Sequence, residues 1–134
     1  MKEIIVPDMS GYSEKMFQRT VVEIASIMGY TEAYHTTFSL GSESGFPDLS
    51  LFNPTDGGAV FLECKVKKNR PTDRQRMWLY NLRCAGFHAY MVHPDFIEKA
   101  IDVLRDVYPH PEIGTGEAHP DLADITCPPT WIGG

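Results

Sequence analysis

The chain has 134 residues, 43% hydrophobic and 22% charged; that length and composition make one domain with a core of its own and exclude wholesale disorder. No apolar run approaches the roughly 20 residues of a bilayer span, and Pro7 and Asp8 interrupt the start before a signal-peptide pattern can develop. The net charge of −6 disfavours a polyanionic partner, but residues 1–92 are neutral and the whole excess of acid lies in residues 93–134.

Three cysteines, Cys64, Cys84 and Cys127, are odd in number and far apart. They suit neither a disulfide framework nor a zinc knuckle, and fit a reducing cytoplasm. Six of the twelve basic residues fall within residues 65–76: Lys65, Lys67, Lys68, Arg70, Arg74 and Arg76. Such a stripe can dock phosphates whatever the overall charge, although alone it also fits a solvated loop.

In chain order, Ser13, Glu14 and Lys15 open a pattern in which Phe17, Val21, Ile24, Ala25 and Met28 share one helical face, closed by Gly29. Residues 34–38 are rich in β-formers and predict a strand. A glycine-rich loop leads to a second strand at residues 48–52, with Leu49 and Leu51 on one face. The turn formers of residues 53–58 predict a hairpin into a central third strand over residues 59–66. Thr72 and Gln75 have capping-box spacing. The helix they open is expected to turn Met77, Trp78, Leu82 and Ala85 inward before Gly86 ends it. A fourth strand follows at residues 87–92. A last helix starts at Pro94 and Asp95, buries Phe96, Ile97, Ala100, Ile101 and Leu104, and runs to about Tyr108. Residues 1–108 thus read as the folded domain and residues 109–134 as an acidic tail rich in proline and glycine, with Trp131 and Ile132 as candidates for packing on the body. The order αβββαβα predicts an α/β fold, a mixed sheet flanked by helices. Neither a GxGxxG fingerprint nor a P-loop is present.

The chemistry concentrates in Pro47-Asp48 and Glu63-Cys64-Lys65. Alternation along a strand puts Glu63 and Lys65 on one face and Cys64 on the other. The hairpin lays Asp48 beside them, so two hard carboxylates come within reach of one cation, Mg²⁺ or Mn²⁺. Lys65 is placed to orient or deprotonate a water or to stabilise a developing oxyanion. Two acids and a lysine on neighbouring strands suit phosphodiester hydrolysis, and Lys67, Lys68, Arg70 and Arg74 are candidate DNA contacts. In isolation, a Glu-x-Lys tripeptide is far more often an ion pair at a strand end. Gln18 reads as structural, His35 more often as a satisfied strand residue than a contact, and His88 and His93 lack ligand spacing for zinc.

The ordered set Ser13-Glu14…Gln18, Tyr34-His35, Gly45-Phe46-Pro47-Asp48-Leu49, Glu63-Cys64-Lys65 and Thr72…Gln75 resembles the VRR-NUC family. This is the virus-type replication-repair branch of the PD-(D/E)XK nuclease superfamily. The resemblance covers about residues 13–104 and implies a restriction-endonuclease-like αβββαβ core. It implies Asp48 and Glu63 as metal ligands, Glu14 as the helix-borne acid of the metal site, Lys65 as the catalytic lysine and Gln75 as the motif glutamine. The backbone carbonyl of Cys64 is a further implied ligand, with cysteine where the family more often has an aliphatic residue. Stand-alone members of this size imply a phage-encoded homodimer acting on branched or structured DNA in the host cytoplasm, and fused forms belong to DNA repair. Two other readings remain: a silent DNA-binding or scaffold module on the same fold, and an RNA or single-strand nuclease.

Overall fold

Ser13 caps the first helix by accepting the Met16 N–H on its hydroxyl (3.1 Å), and the apolar stripe that follows folds as α1, Glu14–Ile27. A computed structural model describes residues 4–37, 44–55 and 57–106 of the chain. Phe17, Val21, Ile24 and Ala25 are buried along α1 as their spacing requires. Gly29 ends the helix at φ 102°, a left-handed conformation that favours glycine.

Four strands follow: β1 (Glu32–His35), β2 (Leu49–Phe52), β3 (Ala59–Cys64) and, after the helix α2 (Asp73–Cys84), β4 (His88–Val92). They form one sheet in the order β1-β2-β3-β4. β1 and β3 each pair antiparallel with β2, whereas β3 and β4 run parallel, with Leu49 opposite Leu62 and Cys64 opposite Val92. The expected hairpin, the interior position of β3 and the mixed sheet are all present. A 3₁₀ turn (Pro94–Phe96) then leads into α3, Ile97–Asp106.

One face of the sheet carries the main core. Leu49, Leu51, Val60, Leu62, Cys64, Tyr90 and Val92 pack there against α1 and α3. The buried Tyr30 hydroxyl ties the two helices together by donating to the Leu104 carbonyl (2.8 Å). The other face holds a smaller cluster, in which Leu79 of α2 packs on Ala89 and Met91. Burying a large apolar side chain contributes about 1.5–3 kcal/mol, so the first face supplies most of the hydrophobic stabilisation.

Several local expectations shift. The first strand lies at residues 32–35 in place of the expected 34–38. The Thr36 N–H still donates to the Asp48 carbonyl in register with β2 (2.9 Å), its hydroxyl donates to the Pro47 carbonyl (2.7 Å), and residue 38 lies outside the described residues. All four residues of β1 are exposed, so no apolar pattern marks the true boundary. On α2 the buried pair is Leu79 and Arg83, and Met77 is exposed. The inward face includes an arginine whose guanidinium lies 5.8 Å from the Tyr90 ring centre, and a charged residue there hides the periodicity. The described part of α3 ends at Asp106, and the tail, including Cys127, Trp131 and Ile132, lies outside the described residues.

Candidate active site

β2 enters the sheet one residue after Asp48, and its register with β3 places Asp48 alongside Glu63. Asp48 is fixed at both ends. Its carbonyl accepts the Thr36 N–H (2.9 Å), and its Oδ2 accepts the Cys64 backbone N–H (2.9 Å). The hydrogen bond to Cys64 extends the hairpin through a side chain and draws the Asp48 carboxylate across to the strand that bears Glu63 and Lys65.

Glu63 is only 1% exposed, which is rare for a carboxylate without a dedicated partner. The Lys65 Nζ approaches its Oε2 at 3.2 Å, yet neither carboxylate oxygen of Glu63 has a partner in hydrogen-bonding geometry. Burial first, and then the negative charge of Asp48, push the Glu63 carboxyl up to about 8, against the opposing pull of Lys65. Glu14, at the start of α1, reaches the same lysine, with Oε1 3.8 Å from Nζ. Its carboxyl is also raised, chiefly by burial and secondarily by Asp48, with Lys65 opposing. Glu14 from α1 and Glu63 from β3 therefore meet one ammonium, with Asp48 close enough to oppose the charge of both acids.

That arrangement fits a hard divalent cation. Two buried carboxylate oxygens lack a well-directed hydrogen bond, and the charge of Asp48 repels them, so a positive ion between the two carboxylates would relieve both penalties. Among the described residues no three His, Cys, Asp or Glu side chains are grouped as a ready cage. The donor set suits Mg²⁺ or Mn²⁺, which complete their shells with water and phosphate oxygen. The Cys64 side chain is fully buried in the main core, and burial pushes its thiol well above the usual range. Because the side chain is packed into the core, the backbone carbonyl is the group that Cys64 offers toward a cation.

The loop that delivers Asp48 is braced on α2. Gly45 (φ 89°) packs so closely that a Cβ there would lie 2.8 Å from the Arg74 carbonyl carbon and 2.9 Å from the Gln75 nitrogen. The Trp78 indole N–H donates to the Ser44 carbonyl (3.1 Å), and Phe46 meets the Trp78 ring edge to face at 5.0 Å. Gln75 itself completes the expected capping box: its Oε1 accepts the Thr72 N–H (2.8 Å) and its own N–H donates to the Thr72 hydroxyl (3.1 Å). With the oxygen engaged in the cap, any part of Gln75 in the chemistry falls to its amide nitrogen. This brace escapes sequence reading, although Gly45 before Phe46-Pro47 is a signal for a tight approach.

Of the other candidates, Lys67, Lys68, Arg70 and Arg74 are all exposed just beyond Lys65. Gln18 and His35 line an open groove of about 780 Å³ together with Glu14. His88 is buried with its Nδ1 3.1 Å from the Tyr90 hydroxyl, a satisfied edge-strand residue. No helix among the described residues is long and apolar enough to cross a membrane.

Two curated relatives align with part of the chain, the Fanconi-associated nuclease 1 homologs of Caenorhabditis elegans and Caenorhabditis briggsae. Each is 38% identical over 52 residues, or 39% of this chain. The match spans only 6% of the length of either relative. No solved structure matches. The family model of the VRR-NUC domain matches residues 14–95, a span that runs from the helix-borne Glu14 past the end of β4. The chain belongs to the VRR-NUC domain family of nucleases.

Proposed function

We propose that this protein is a divalent-metal-dependent endonuclease that hydrolyses phosphodiester bonds in structured or branched DNA. The observation that carries this reading is the buried Glu63 carboxylate, its oxygens without a well-directed hydrogen bond, beside Asp48 and 3.2 Å from the Lys65 ammonium. Asp48 and Glu63 would hold the cation, Mg²⁺ or Mn²⁺, with Glu14 and the Cys64 carbonyl as further donors. When bound, the cation lowers the pKa of a coordinated water and offsets charge on the phosphoryl oxygens. Lys65 orients the attacking water and meets the negative charge that grows on the phosphate, a role for which its near-complete burial and two carboxylate contacts hold it in place. The exposed Lys67, Lys68, Arg70 and Arg74 bind the flanking phosphates. A homodimer would set two such sites against one branched substrate and pair the cuts.

The test is a panel of duplex, flap, four-way junction and single-stranded substrates, DNA and RNA, each with Mg²⁺, Mn²⁺ or EDTA. Cleavage of a branched DNA with either metal, lost in EDTA, is the expected result. Lys65→Ala should remove cleavage by at least about 100-fold while DNA binding persists. Wild-type protein that binds DNA but nicks nothing with either metal would instead make the chain a silent binding module.

A further inference from the structure

β3 and β4 are parallel and end side by side, Lys65 donating its N–H to the Val92 carbonyl (3.0 Å). In sheets with parallel strands, ligands gather beyond the carboxyl ends of those strands. Two segments leave the sheet there: residues 67–70 after β3 and residues 93–96 after β4. Between them lies an open pocket of about 600 Å³, lined by Lys67, Lys68, Asn69, Arg70, His93, Asp95 and Phe96; the Asp95 carboxylate lies 3.6 Å from the His93 Nδ1. That volume is in the range of small-ligand sites, about 300–1,000 Å³.

The pocket is built, not incidental. Lys67 has φ 55°, the only non-glycine residue among those described with a positive φ, and such a conformation persists only where its surroundings hold it. The turn itself is closed by the Asn69 N–H donating to the Val66 carbonyl (3.1 Å), with Lys67 at its second position, and His93 ties that turn to β4. Its Nε2 lies 2.8 Å from the Lys67 carbonyl, and its Nδ1 accepts the Asp95 N–H (3.1 Å). The carbonyl can only accept, so Nε2 carries the proton and donates across the gap. The His93 ring also meets Phe96 edge to face at 6.4 Å. One imidazole thus locks the basic turn to the start of the 3₁₀ segment, with three cations on one wall and an aromatic ring on the other.

We propose that this pocket is a subsite for one unpaired nucleotide of the substrate strand, its phosphate met by Lys67, Lys68 and Arg70 and its base packed against Phe96. His93 is the positioning residue that ties the Lys67 turn to the start of the 3₁₀ segment. The subsite starts two residues after Lys65 in the chain, and an unpaired base held there distinguishes a branch from plain duplex. The inference rests on the nuclease reading above and adds the feature of the substrate that is recognised.

The experiment measures binding in EDTA, and single-turnover cleavage in Mn²⁺, of a flap DNA with a thymidine branch and of the same DNA with an abasic branch. Wild type should prefer the thymidine flap by about tenfold, the scale of one stacked base. Phe96→Ala should erase that preference and leave abasic binding unchanged. His93→Ala should weaken binding of both and lower the salt slope by about 1, as for one lost phosphate contact. His93→Gln, which keeps a side-chain N–H donor, should recover most of the loss, with the saturated cleavage rate within about twofold of wild type throughout. Lys68→Gln and Arg70→Gln alter only exposed residues and should each lower the slope by about 1, which keeps the test open if His93→Ala unfolds. Equal affinity of wild type for both flaps, or unchanged slopes in the Lys68 and Arg70 variants, overturns the subsite while Lys65-dependent cleavage still upholds the nuclease. Wild type that binds no DNA overturns both.

Discussion

Replacing Glu63 with glutamine should make the protein more stable and inactive. In the folded chain the Glu63 carboxyl titrates near 8 against 4.5 for an ordinary glutamate, because burial and Asp48 oppose its charge. A carboxyl whose folded pKa is raised binds its proton more tightly in the fold, so its favourable share is complete below 4.5 and is lost as pH rises toward about 8. At about 1.4 kcal/mol per unit, the limiting loss is about 4–5 kcal/mol. Local relaxation and water entry reduce it, and we expect about 2–4 kcal/mol. Glutamine has the shape of the protonated acid and does not ionise. Urea unfolding followed by circular dichroism, in EDTA at pH 5 and pH 8.5, should give nearly equal stabilities at pH 5. At pH 8.5 Glu63→Gln should exceed wild type by that 2–4 kcal/mol. Saturating Mg²⁺ or Mn²⁺ should then stabilise wild type at pH 8.5, following the logarithm of metal concentration over Kd, and barely affect the variant. A difference between the proteins that does not change with pH refutes the argument, since it would mean that Glu63 carries no penalty when charged.

Three further outcomes follow from the brace and the cap. Gly45→Ala forces a Cβ into the α2 backbone at a positive φ and should cost about 1–3 kcal/mol; thermal unfolding measures it, and the weakened hold on Asp48 should also raise the Mg²⁺ concentration needed for half-maximal cleavage. Thr72→Ala removes the hydroxyl that accepts the Gln75 N–H and should lower stability by about 1 kcal/mol with little effect on cleavage. Gln75→Ala should match that loss in the same unfolding assay if the cap is its only role, whereas a drop in cleavage beyond about tenfold would place its amide in the reaction.

The αβββαβα order and the α1 stripe follow from local rules, since caps, apolar spacing and turn residues act within a few positions of one another. Asp48, Glu63 and Lys65 were legible as a group for the same reason: strand alternation and one hairpin suffice to bring them together. What local rules missed were contacts between distant segments. Met77 is apolar by identity and exposed in fact, because the packing of α2 on β4 selects Leu79 and Arg83. Ser44 and Trp78, 34 positions apart, brace the Asp48 loop, and His93 and Lys67, 26 apart, form the clasp beyond β3.

The sequence by itself therefore determined the elements, the hairpin and the types of group that meet at its open end, because each depends on near neighbours along the chain. Only the tertiary structure decided the state of those groups. The exclusion of water from Glu63 comes from side chains and strands brought in from elsewhere in the chain, and that exclusion, together with the nearby charge of Asp48, moves its proton affinity. Burial is a property of the assembled molecule, and no short stretch of residues can encode it alone.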